Sequence, residues 1–65
     1  MYIVCRYERS IGGYHFDDKT RCFKKWSDAF DYCQKLNLEL AKLYRCRTKF
    51  LEEYYDIEEI KEDIK

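Results

Sequence analysis

The chain has no proline and only two glycines, Gly12 and Gly13, among its 65 residues. A loop-rich, disulfide-stapled scaffold needs many tight turns, which draw heavily on both residue types, so regular secondary structure is expected to dominate. No apolar run approaches the roughly 20 residues of a membrane-spanning helix. Arg6 also interrupts the apolar start too soon for the core of a secretion signal. The expected setting is therefore cytoplasmic, without membrane contact, and the four cysteines, Cys5, Cys22, Cys33 and Cys46, are expected to be free thiols. Net charge is also lacking: 13 basic side chains balance 13 acidic ones.

Aromatic residues are plentiful. They make up 18 % of a chain that is 46 % hydrophobic, a composition incompatible with disorder. Seven of them are tyrosines, whose rings pack like apolar groups while their hydroxyls seek water or a partner. A chain of this length buries only about 60 % of the surface it exposes when unfolded, which leaves room for one core. Residues 1–65 are read as a single small domain.

The pattern along the chain is that of an α+β fold. In Tyr2–Glu8, Ile3, Cys5 and Tyr7 alternate with Val4, Arg6 and Glu8, as in a strand. Gly12 and Gly13 supply a reversal, and Tyr14-His15-Phe16 resumes the alternation, so an N-terminal antiparallel β-hairpin is predicted. Asp17–Thr20 reads as a second turn and Arg21–Phe23 as a short third strand. Ser27 is the expected cap of a long amphipathic helix, with Asp28 and Asp31 in its first turns. Its apolar stripe comprises Ala29, Phe30, Cys33, Leu36, Leu40, Leu43 and Tyr44. The same phase runs on through Leu51 and Tyr54, but Arg47 falls inside it. Either one helix extends from Asp28 to about Tyr55, or it breaks near Arg45–Thr48 and the remainder folds back, and the break is favoured. Beyond Tyr55 the stripe Ile57, Ile60, Ile64 has a different phase, and Asp56 with Glu59 matches a capping box, which predicts a short acidic C-terminal helix.

Catalytic and metal-binding patterns are sparse. The cysteines lie 17, 11 and 13 positions apart, unlike the closely spaced ligand pairs of structural zinc sites, and His15 has no evident nucleophile beside it. Gly12-Gly13 lacks the Lys and Ser/Thr of a phosphate loop. No enzyme, cofactor or metal is expected. The charge is, however, unevenly distributed: residues 1–50 carry eleven Lys or Arg against six Asp or Glu, and residues 51–65 carry two against seven. A basic body with an acidic end can engage charged partners of either sign.

The stretch from Phe23 to Cys33 resembles the strand-to-helix junction of many small hairpin-plus-helix domains. In overall style the chain is similar to the compact, motif-poor proteins of phages and mobile elements, some of which inhibit host enzymes or defence complexes such as CRISPR effectors. The resulting expectation is a non-enzymatic protein-interaction module of anti-CRISPR-like type. It would bind a larger protein through its helical half and acidic C-terminal segment, with Glu52, Glu53, Tyr54, Tyr55, Glu58 and Glu59 as contact residues. The alternative is a small nucleic-acid-binding regulator using Arg21, Lys24, Lys42, Arg45 and Lys49, although a pI near 6.6 falls short of a basic footprint. Homodimerisation through an overhanging helix that buries Leu51 and Tyr54 is compatible with either reading.

Overall fold

The computed structural model describes residues 1–60 and shows a four-stranded antiparallel sheet with one helix packed on one side. Strand β1 (Tyr2–Glu8) is central. Along one edge it pairs with β2 (Gly13–His15) and then with β3 (Arg21–Phe23); along the other it pairs over its whole length with β4 (Glu53–Glu59). These first three strands and the reversal at Gly12, which adopts φ 71°, match the alternation and turn residues of the sequence.

The C-terminal segment is different from its expectation. The predicted acidic helix, with its Asp56/Glu59 capping box, is a strand at Glu53–Glu59; Ile64, which shared its stripe, lies outside the described residues. The physical reason is the partner: β1 offers an unpaired edge, and Tyr55 and Ile57, two residues apart, both turn toward the helix and the core. A nine-residue helix could not have been stable without comparable packing.

Helix α1 (Trp26–Tyr44) ends at the expected break, so the continuous helix to Tyr55 and its overhang are not formed. Cys46 N–H donates to Ala41 O (3.0 Å) and Arg45 N–H to Lys42 O (3.4 Å), the paired bonds of a Schellman ending. Arg45 is left-handed, with φ 54° and ψ 44°, where glycine would avoid a cost of roughly 1–2 kcal/mol. Arg47, the interruption in the apolar stripe, is extended and leads into a 3-10 turn at Thr48–Phe50. At the other end the expected Ser27 cap is not made. Ala29 N–H donates to Lys25 O (3.2 Å), so the helical ladder starts earlier and Lys25 occupies the cap position without a side-chain bond.

Val4, Ala29, Cys33, Leu36 and Tyr55 form the buried core, with Tyr2, Phe23, Tyr32, Leu40 and Ile57 around it. Ala29 and Val4 are completely inaccessible to solvent; the small Ala29 side chain lets the helix approach the sheet closely. Leu43 and Tyr44, expected on the packed stripe, are exposed.

Register determines where the backbone hydrogen bonds go. Arg9 N–H donates to Glu52 O and Ile60 N–H to Met1 O, so the odd residues of β1 exchange bonds with β4 and its even residues face β2 and β3. On β4, Glu53, Tyr55, Ile57 and Glu59 consequently turn their amides and carbonyls away from β1. Asn37 of α1 reaches this outer edge: Tyr55 N–H donates to Asn37 Oδ1 (2.7 Å) and Asn37 Nδ2 donates to Tyr55 O (2.9 Å). The side-chain amide thereby imitates a neighbouring strand at its most buried point.

On the other edge, Phe16–Thr20 form an excursion between β2 and β3, with Cys5 the only β1 residue opposite. Cys5 directs its backbone groups to β4, so the insertion breaks no ladder bond. The excursion is organised by Asp17, whose carboxylate accepts from Lys19 N–H (2.9 Å) and from the Tyr55 hydroxyl (2.7 Å), while Thr20 Oγ1 accepts from Asp17 N–H (2.9 Å). Arg6 Nε is 4.0 Å from the same carboxylate. Burial alone would raise the Asp17 pKa, but the bonds from Tyr55 and Lys19, the Arg6 charge and Thr20 together hold it below the usual carboxylate range.

Two outcomes follow from these contacts. Replacing Asn37 by Ala strands the Tyr55 amide in a partly buried position, leaves its carbonyl only the weak Cys33 thiol donor, and should lower stability by about 1–3 kcal/mol in urea unfolding. Asp17 has a folded-state pKa below its unfolded value near ~3.9, so its contribution is complete above that pH and is lost as pH falls through the folded pKa. Urea midpoints should therefore fall in acid, and Asp17→Asn should flatten this dependence while lowering the midpoint at neutral pH.

Candidate functional site: the uncovered face of the sheet

A single helix covers one face of the sheet. The opposite face, bearing the odd residues of β1, has no second layer among the described residues. Tyr54, Tyr7 and Tyr14, from β4, β1 and β2, are adjacent across it in one row, with ring centroids 5.3 and 4.9 Å apart in tilted pairs. Arg9 closes one end. Its guanidinium carbon lies 4.5 Å from the centre of the Tyr54 ring, Nε donates to Leu51 O (2.7 Å) and an Nη donates to Lys49 O (3.2 Å). The same corner is fastened by Ser10 N–H donating to Glu52 (2.8 Å); hydrogen bonds from the Ser10 side chain and amide lower the Glu52 pKa.

The Phe16–Thr20 excursion leaves no strand residue beside Cys5 on this face, and a hollow of about 360 Å³ opens there. Its lining is Ile3, Cys5, Tyr14, Phe16, Glu58, Glu59 and Ile60. Phe16 stands over it 74 % exposed. Glu58 is opposite Ile3 and Asp56 opposite Cys5, so both carboxylates are carried on the uncovered face. Glu58, within reach of the Tyr14 hydroxyl, is the main cause that pushes the Tyr14 pKa well above its ordinary value. Neither Asp56 nor Glu58 forms an ion pair among the described residues.

The expected contact residues are divided by strand alternation. Tyr54 and Glu58 lie on the uncovered face; Glu53, Tyr55 and Glu59 alternate to the other, although Glu59, at the end of the strand, also borders the hollow. Tyr55 is 6 % exposed, with its ring in the core and its hydroxyl held by Asp17. Glu53 lies 3.7 Å from Arg6, and Glu52 is occupied at Ser10. Leu51, expected at a dimer interface with Tyr54, is only 3 % exposed within the monomer. A second concavity of about 350 Å³ lies beside it, lined by Tyr44, Cys46, Phe50, Leu51, Glu52 and Glu53.

The basic residues of the alternative reading are not brought together. Arg21 and Lys24 precede α1, with Arg21 Nε donating to the Tyr32 hydroxyl (3.2 Å). Lys42 and Arg45 close the helix, and Lys49 lies over the Phe50 ring in the following turn. The two groups are separated by a 19-residue helix, about 28 Å long.

Tyr7, Arg9, Tyr14, Phe16 and Asp56 are members of the uncovered face that sequence reasoning missed. A signal for them was available: one helix can cover one side of a sheet, so the odd residues of β1 needed either a second layer or a surface role.

The thiols are free and unequal. Cys5 and Cys33 are buried, Cys46 is intermediate and Cys22 is exposed. Burial, with nearby carboxylates, raises the Cys5 pKa, and burial is also the main cause that pushes Cys33 up to about 11. Cys33 Sγ donates to Tyr55 O (3.1 Å). His15 Nε2 lies 3.2 Å from Glu8 Oε2, and no group of three or more metal-ligating side chains occurs among the described residues. No helix of the described residues is long and apolar enough to cross a membrane. No protein-family model, curated protein or solved structure matches the chain.

Alkylation should follow this order of burial. Under native conditions iodoacetamide is expected to label Cys22 first and Cys46 more slowly, with Cys5 and Cys33 modified only at the rate of unfolding; peptide mass mapping over time gives the four rates.

Proposed function

We propose that this chain is a non-enzymatic protein-interaction module that engages a larger protein through the uncovered face of its sheet. The observation that carries the reading is the combination on one face of an aromatic row, an exposed Phe16 and the carboxylates Asp56 and Glu58, which form no ion pair among the described residues. Tyrosine-rich surfaces with a concave apolar centre and a charged margin have the anatomy of protein interfaces, and monomeric proteins rarely leave such apolar surface contiguous and uncovered. The two deepest thiols have raised pKa values, the opposite of an activated nucleophile. A module of this size acts by occupying a surface of its partner, which is how an inhibitor encoded by a phage or mobile element would work.

Affinity capture from the native host, read by mass spectrometry, tests the location. Tyr14→Ala combined with Phe16→Glu on the sheet face should remove the captured partner, whereas Lys35→Glu combined with Lys42→Glu on the helix should retain it. The reverse pattern would place binding on the helix. If the helix variant also lost retention of the chain on nucleic acid at low salt, the regulator reading would replace this one.

A further inference from the structure

We infer that the hollow above Cys5 receives an arginine side chain of the partner protein. The inference rests on the uncovered sheet face being the docking surface, and it specifies the chemistry of the residue that enters. Three properties of the hollow meet the requirements of arginine.

The walls come first. Ile3, Phe16 and Ile60 present apolar surface to the long side-chain stem, which packs favourably as long as the charged head finds a partner. The charge comes second. Glu58 lines the hollow, and Asp56 is the next residue of the same face along β4, opposite its Cys5 floor. The ion pairs formed among the described residues involve Arg6 with Asp17 and Glu53, and His15 with Glu8, so neither carboxylate has a cation beside it. Glu58 is the one that meets the charged head, while Asp56, whose Oδ1 accepts from Ile57 N–H (2.8 Å), adds negative charge from outside the lining. A guanidinium matches a carboxylate with two parallel N–H donors, and its plane stacks on an aromatic ring; an ammonium does neither. Tyr14 and Phe16 supply the rings.

The third property is an intramolecular counterpart. At the other end of the tyrosine row, Arg9 of the chain itself lies over Tyr54 at 4.5 Å with its donors satisfied by carbonyl oxygens. The face thus already seats one guanidinium on one of its tyrosines. The hollow repeats the aromatic element and replaces the carbonyl acceptors with a stronger one, a carboxylate.

The hollow owes its existence to the split edge strand. Had β2 continued without interruption into β3, a side chain opposite Cys5 would have filled the space. The four-residue change of register between Arg6↔His15 and Val4↔Arg21 therefore has a chemical outcome as well as a topological one.

The test is a titration of the ¹⁵N-labelled full chain with N-acetyl-arginine methylamide, followed by amide chemical shifts. N-acetyl-citrulline methylamide, the neutral near-isostere, and N-acetyl-lysine methylamide serve as comparison probes. Saturable shifts are expected at Ile3, Cys5, Tyr14, Phe16 and Glu58, with citrulline binding about tenfold more weakly and lysine between the two. Glu58→Gln, which keeps the shape of the side chain, should weaken the arginine probe about tenfold and leave the citrulline probe unchanged. Equal shifts with arginine and citrulline, a preference for lysine, shifts centred elsewhere, or no saturation would each overturn the inference. The separate reading of the face as a docking surface stands or falls on capture by the Tyr14→Ala, Phe16→Glu variant. Loss of capture without any arginine response would reject the arginine alone; an arginine response with undiminished capture would reject the docking surface alone.

Discussion

Strand β1 must find hydrogen-bond partners on both edges, and everything else in the fold is arranged around that demand. Its odd residues bond to a strand some 50 positions later, and its even residues bond to two short strands that follow within the next 15. Val4 and Cys5 are adjacent in sequence yet belong to different problems. Val4 points into the helix interface and is the centre of the core; Cys5 points away from it and is the floor of the hollow. Because Cys5 has no hydrogen-bonding obligation toward β2 and β3, that edge can be interrupted beside it at little cost. The concavity on the uncovered face is a by-product of how an antiparallel ladder distributes its bonds.

The elements with a strong local period were readable. Tyr2–Glu8 alternates, Gly12 permits the reversal, and Ala29, Cys33 and Leu36 recur on one helix face; each appears where the pattern placed it. The failures lie where a distant partner decides. Glu53–Glu59 contains four carboxylates among seven residues, a composition with little intrinsic strand preference, and it becomes a strand because β1 leaves an edge open to it. The helix ending was located through Arg47, but no glycine marked it, because the left-handed position is held by Arg45 and supported by two backbone bonds. Of the candidate site, Tyr54 and Glu58 were legible from composition, whereas Tyr14 and Phe16 became recognisable only once the register placed them beside Cys5.

The charge asymmetry of the sequence also takes another form in three dimensions. On a helix the C-terminal carboxylates would have formed a continuous acidic surface. On a strand, alternation sends them to opposite faces, and several are occupied at once: Glu53 near Arg6, Glu52 on Ser10, and Asp56 in part by the neighbouring Ile57 amide. What remains on the uncovered face is a small acidic element set among aromatic rings. The proposed arginine seat draws on this local grouping, whereas a broad attraction to a polyanion or polycation would need charge of one sign spread over a surface.

The clasp between Asn37 and Tyr55 has a consequence for assembly. An outer strand with unoccupied amides and carbonyls is a template on which a strand from another molecule can add, the first event in edge-to-edge aggregation. In β4 the two central outward amides are both engaged, that of Tyr55 by Asn37 and that of Ile57 by the Asp56 carboxylate at 2.8 Å, and the flanking outward positions are the charged Glu53 and Glu59. One asparagine, projecting from the helix, thereby occupies the most buried amide and carbonyl of this edge. The β4 edge thus offers few free amides to an added strand, whereas the open face presents side chains.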